Sequence, residues 1–148
     1  MKRINEYKKL FNIENAIDLK ELKTTYRNLV KEWHPDKFLA GDDKAVEAEL
    51  KSRQIIDGYH FLVSIAPETK AANLEEFQQV TATPIVDWQH KGLVLELTFL
   101  DGDTYEFFGV DKALFIKFYQ SDKLNRFAKR NIFNSYIYRK IKKNEVMA

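Results

Sequence analysis

The chain has 148 residues and a mass of 17.5 kDa, enough for one ordinary domain or two small ones. Its 11 Phe, 7 Tyr and 2 Trp, within a 45% apolar composition and a net charge of +2, exclude wholesale disorder. The sequence has no cysteine and no apolar run approaching the ~18 residues of a membrane span, which excludes disulfides, thiol catalysis, cysteine-ligated metal and a transmembrane helix.

The first two-thirds reads as helix. Ile4, Tyr7, Leu10 and Phe11 recur at helical spacing and predict a short first helix. Asp18 is the expected N-cap of a second, with Glu21 three residues on. That helix should stop at Trp33 or His34, because the residue before a proline disfavours the helical region. Residues 37–43 (KFLAGDD) read as a loop. A third helix is expected from about Lys44 to Ser64, burying Ala48, Ile55, Tyr59 and Leu62. Pro67 opens a fourth, over 67–78. Residues 79–84 are expected to link it to a second domain, and the whole stretch QVTATPIVD reads as linker.

The pattern then changes period. Leu93, Leu95, Leu97 and Phe99 are apolar at every odd position, and Tyr105 and Phe107 keep that parity beyond Asp101-Gly102. This predicts a β-hairpin. A two-residue loop would put the two apolar faces out of phase, so the turn should have three residues, with Gly102 left-handed. Leu114, Phe115, Phe118 and Tyr119 follow at helical spacing. Charge also shifts. Residues 112–148 hold ten Lys/Arg against two acids, net +8, so residues 1–111 are net −6, which implies units with different partners.

Two features carry chemistry. On the second helix Lys20, Lys23, Arg27 and Lys31 fall within an arc of about 80°, and His34 extends the line. Leu19, Leu22, Tyr26, Leu29 and Trp33 take the neighbouring face. By itself such a stripe reads first as a solvated face, and a lone proline after a helix as a stop signal. But Pro35 fixes its own φ and restricts His34, so His34-Pro35-Asp36 holds two polar side chains at set angles on a loop. No nucleophile or glycine-rich phosphate cradle accompanies it, so it reads as a recognition group and not as a catalytic one.

Residues 7–11 (YKKLF), 22–37 (LKTTYRNLVKEWHPDK) and 55–62 (IIDGYHFL), in that order, resemble the J-domain of the DnaJ family over about residues 4–72. The resemblance implies an all-α unit that binds a DnaK-type heat-shock chaperone and stimulates its ATP hydrolysis. His34, Pro35 and Asp36 would inherit the trigger, and Lys20, Lys23, Arg27 and Lys31 the contact with an acidic surface. The expected role is that of a co-chaperone, not an enzyme, needing no cofactor. Departures are visible. Asn28 and Glu32 thin the basic face, Gly58 replaces a usual alanine, and residues 68–73 (ETKAAN) lack the family's fourth-helix pattern. The family's glycine/phenylalanine-rich and cysteine-rich modules are absent from the sequence.

The later segment resembles the KTSC domain over about residues 85–142. The resemblance rests on the strand, Asp101-Gly102, Tyr105 and Phe107, Gly109-Val110, a helix, Asn131-Ile132 and Tyr136. Asp111 stands where a proline is common, and Ser121-Asp122-Lys123 meets the family's Ser-x-Gly only in part. Three uses of this basic, aromatic unit stay open: RNA binding, protein docking and a solubilising rim. Tyr105, Phe107, Arg126, Lys129, Arg130 and Arg139 are the candidate contacts, within residues 112–143, which mix Lys117, Lys123, Lys140, Lys142 and Lys143 with Phe127, Phe133, Tyr136 and Tyr138. The alternative function is therefore an RNA- or ribosome-associated protein whose J-like part is a scaffold. His60 and His90 lie too far from His34 and each other for metal-ligand spacing, so no metal is expected.

The expected fold class is α+β: an all-α J-domain over 1–78, a linker over 79–84 and a small α+β domain with an antiparallel hairpin over 85–148. The opening MKRINEYKKLF lacks the apolar core of a secretion signal, so a cytoplasmic location is expected.

Overall fold

A computed structural model describes residues 2–38 and 43–141, which divide into two compact units, one ending at Ala71 and one beginning at Ala72. The first unit is all helix: α1 (Lys2–Leu10), α2 (Leu19–Trp33), a single 3-10 turn (Pro35–Lys37), α3 (Asp43–Ile65) and α4 (Pro67–Ala72). Asp18 caps α2 as expected, its carboxylate accepting the N–H groups of Lys20 at 2.9 Å and Glu21 at 3.2 Å. Ile4, Phe11, Ile17, Leu22, Ala48, Ile55, Phe61, Leu62, Ile65 and Ala66 are its buried apolar residues among those described. Tyr59 of α3, expected to be buried, is only half-buried, as are Leu19, Tyr26, Leu29 and Trp33 of α2; Tyr26 stacks on Tyr59 with ring centroids 4.0 Å apart.

Gly58 has a packing reason. A Cβ built there would lie 2.8 Å from Tyr7 Cδ1 and 3.1 Å from Phe11 Cε2, so the missing methyl lets α1 sit close against α3. Arg3 adds its guanidinium over the Phe61 ring, 4.3 Å from the centroid.

The expected helix over 67–78 is two helices. α4 ends at Ala72, and α5 (Leu74–Thr81) follows as part of the second unit. The expected linker is thus partly helix. Phe77 and Val80 are buried in the second unit's core, and that apolar pair draws the helix to the sheet.

The sheet is a four-stranded antiparallel meander in the order β1 (Ile85–Lys91), β2 (Val94–Phe99), β3 (Thr104–Phe108), β4 (Ile137–Ile141). The β2–β3 hairpin follows the sequence reading. Leu97 pairs with Tyr105 and Leu95 with Phe107, and Gly102 takes φ 93 in a turn closed by its N–H on the Phe99 carbonyl at 2.8 Å. β1 and β4 had no clean alternation to find. A bulge between Ile85 and Asp87 switches the parity of β1, so Ile85 and then Trp88 and His90 share the core face. In β4 the core-side positions are Tyr138 and Lys140.

α6 (Lys112–Tyr119), capped by Asp111 Oδ1 on Leu114 N–H at 2.8 Å, and α7 (Leu124–Asn131) complete the unit. They bring Phe118 and Ala128 onto the same core as Leu95, Leu97, Phe99, Tyr105 and Phe107. Asn125 ties α7 to the start of β1. Its Oδ1 accepts the Ile85 N–H at 3.0 Å, and its Nδ2 donates to the Thr83 carbonyl at 2.7 Å.

Candidate functional site

The site in the first unit is built from the end of α2. His34 is extended, φ −62 and ψ 129, as the residue before a proline must be, and this stops the helix. The chain then folds into the 3-10 turn, where the Lys37 N–H donates to the His34 carbonyl at 3.0 Å. The Asp36 N–H donates to His34 Nδ1 at 3.2 Å, which places the neutral ring's proton on Nε2. Asp36 Oδ2 lies 3.5 Å from the same nitrogen, so a protonated imidazole would exchange that bond for an ion pair. The side chains are 50% exposed for His34 and 91% for Asp36. The His34 ring is held by the Asp36 main-chain N–H, and both side chains are open to solvent.

Lys20, Lys23, Arg27 and Lys31 are all exposed along α2. Lys37, inside the turn, is also exposed and extends the positive surface past Asp36; its position directly after the tripeptide was the signal that could have found it. Lys51 of α3 sets its ammonium over the Trp33 ring, 5.7 Å from the centroid, which fixes the last residue of α2 beside the turn. The surface therefore offers the exposed Asp36 carboxylate beside exposed cations. It suits an ionic partner with an acidic face and at least one arginine.

The second unit's candidates separate into two groups. Tyr105 and Phe107 are corrected to core. They are 3% and 0% exposed, and their rings pack on Phe77, Phe133 and Tyr138. Phe133 and Tyr138 are likewise buried, and Phe127 and Tyr136 are partly so. A unit this small needs its large rings inside, and the buried Tyr105, Phe107, Phe133 and Tyr138 are closed to base stacking. Arg139 pairs with Glu106 at 3.0 Å on the sheet. Arg126, Lys129 and Arg130 are exposed on α7. Lys142 and Lys143 lie outside the described residues.

His90 is structural: its Nε2 lies 2.7 Å from the Val110 carbonyl and its ring stacks on Phe115. His60 is exposed beside Tyr59. Among the described residues no group of His, Asp and Glu is arranged to hold a metal ion, and no helix is long and apolar enough to cross a membrane.

Comparison with known proteins agrees with this division. Residues 84–136 match the family model of the KTSC domain. The chain is 33% identical over 73 residues to the chaperone protein DnaJ of Mesomycoplasma hyopneumoniae (strain 232), a match covering 49% of this chain and 19% of that protein. It is 35% identical over 71 residues to the chaperone protein DnaJ of Mycoplasmopsis pulmonis (strain UAB CTIP), covering 48% and 17%. The chain thus spans less than a fifth of the length of these curated relatives. No solved structure matches it. The chain joins a DnaJ-like N-terminal region to a KTSC domain.

Proposed function

We propose that the chain is a J-domain co-chaperone that binds a DnaK-type heat-shock chaperone and stimulates its ATP hydrolysis. One observation carries the reading: the His34 and Asp36 side chains stand exposed at the end of a helix whose four basic side chains, Lys20, Lys23, Arg27 and Lys31, are exposed as well. The basic face draws an acidic partner and sets the encounter rate. Asp36 then engages an arginine of the chaperone, while Pro35 keeps the turn in one geometry. The partner supplies all of the hydrolytic chemistry. The KTSC domain serves as the targeting module that decides where the stimulation occurs.

Single-turnover ATP hydrolysis by the host's DnaK-type chaperones tests this. The native chain is expected to accelerate it, and His34→Gln to abolish the acceleration with unchanged thermal unfolding. A native chain that stimulates none of them overturns the proposal. The exposed Arg126, Lys129 and Arg130 leave a second reading, phosphate contact with RNA, without the base stacking that buried rings cannot provide. It requires binding at low salt that is lost when these three side chains are neutralised.

A further inference from the structure

The meander leaves β1 and β4 as its two edges. On β4, Arg139 and Lys140 are already engaged with acids of the same unit. β1 is the longer edge, and it carries Val86 and Trp88 at 51% and 38% exposure. An exposed tryptophan and valine on an edge strand form a surface that soluble proteins usually cover.

The turn into β2 determines which main-chain groups of β1 point outward. Gly92 and Leu93 make a two-residue loop, with Gly92 at φ 62, so Lys91 and Val94 close the ladder as a hydrogen-bonded pair. Gln89 and Asp87 repeat that state at every second residue. Trp88 and His90 therefore turn their N–H and C=O groups away from β2. The Trp88 N–H accordingly donates to the Asp87 carboxylate, at 2.9 Å. Asp87, Gln89 and Lys91 are all exposed on the face opposite Trp88 and His90. The two charges stand symmetrically about Gln89, and neither forms an ion pair among the described residues.

We infer that β1 pairs antiparallel with β1 of a second copy of this chain, about a two-fold axis at Gln89. In this register Trp88 faces the partner subunit's His90 with the outward main-chain groups joined, and Asp87 faces the partner subunit's Lys91, each twice by symmetry. The Trp88 N–H exchanges the Asp87 carboxylate for a carbonyl, and the carboxylate is released to the lysine. A register centred on Trp88 keeps the same main-chain parity but sets Asp87 against Gln89 and Lys91 against Ile85, so the charges select the first. This inference is independent of the chaperone reading.

Light scattering coupled to size exclusion, on the full chain up to about 100 μM, tests it. The expected result is a concentration-dependent dimer. Asp87→Lys and Lys91→Asp should each weaken it about tenfold, since one substitution turns two attractive pairs repulsive. The double variant, with the charges exchanged, should restore it. Both positions are exposed, so the folded state is checked by circular dichroism. A chain that stays monomeric overturns the inference, as would a dimer indifferent to the single changes or not restored by the double one.

Discussion

Gly58 shows how one missing methyl sets the first unit's packing. Alanine there would gain up to about 1 kcal/mol of helix preference. It would also drive its Cβ against the body of the Tyr7 ring, and overpacking of this kind costs about 1–3 kcal/mol. Gly58→Ala is therefore expected to destabilise, read as a lower denaturant midpoint; a stabilised variant would contradict the close approach of α1. Asn125 is the second unit's counterpart. Asn125→Ala leaves the Ile85 N–H without its acceptor and should cost about 1–3 kcal/mol. Neither role was legible in the sequence, because each depends on residues about 40 or more positions away.

Glu96 gives a pH-dependent case. Burial first, then Glu106 directly across the sheet, then Asp87, push its carboxyl above the ordinary carboxylate range. A carboxyl with a raised folded-state pKa binds its proton more tightly in the native chain. Its contribution favours folding at low pH and turns unfavourable as pH rises through that range. Glu96→Gln should stabilise by about 0.5 kcal/mol at neutral pH and by nothing below pH ~4, measured as the midpoint shift across pH.

Among the elements, α2 and the β2–β3 hairpin were readable because each shows one clean period over its length, and α3 because no proline interrupts it, although Val46, Leu50 and Ile56 lie exposed outside its buried stripe. α5 was assigned to the wrong unit. Its helical period was correct, but nothing local tells Phe77 which core to enter. The structure gives the answer through β4: Phe77 stacks on Tyr138 with centroids 3.9 Å apart and planes within 9°, and Glu76 pairs with Lys140. Both α5 and β4 lie outside the segment matched by the KTSC family model, and they hold each other. Phe77→Ala should cost about 3–5 kcal/mol in the second unit, readable in a fragment beginning at Ala72. A fragment beginning at Ile85 should expose the core and aggregate.

At the scale of the whole molecule, the charge split changes meaning. Cut at the structural boundary, residues 1–71 and 72–148 each carry a formal net charge of +1. The contrast between a basic end and an acidic beginning therefore lies largely inside the second unit. There acids of α5 and β3 meet the bases of β4, as in Glu106–Arg139 and Glu76–Lys140. Arg139 and Lys140 are thus answered within their own unit, while Arg126, Lys129 and Arg130 of α7 stay exposed. The first unit's stripe is local as well, so under the proposed co-chaperone function added salt should slow association with the chaperone and leave the stimulated rate at saturation unchanged, measured by stopped-flow mixing.

One bond of the first unit has a consequence for how the chain is made. The Leu19 N–H at the start of α2 donates to Glu68 Oε1 of α4, at 3.0 Å and across 49 positions. During synthesis from the N-terminus, α2 can pair with α3 once Ile65 has emerged, yet its first turn keeps an unanswered donor. Glu68 follows three residues later and closes it. The first turn of α2, where the basic stripe begins at Lys20, is thereby completed before any strand of the following sheet has left the ribosome. The order of the letters thus finishes the helix that carries the stripe first.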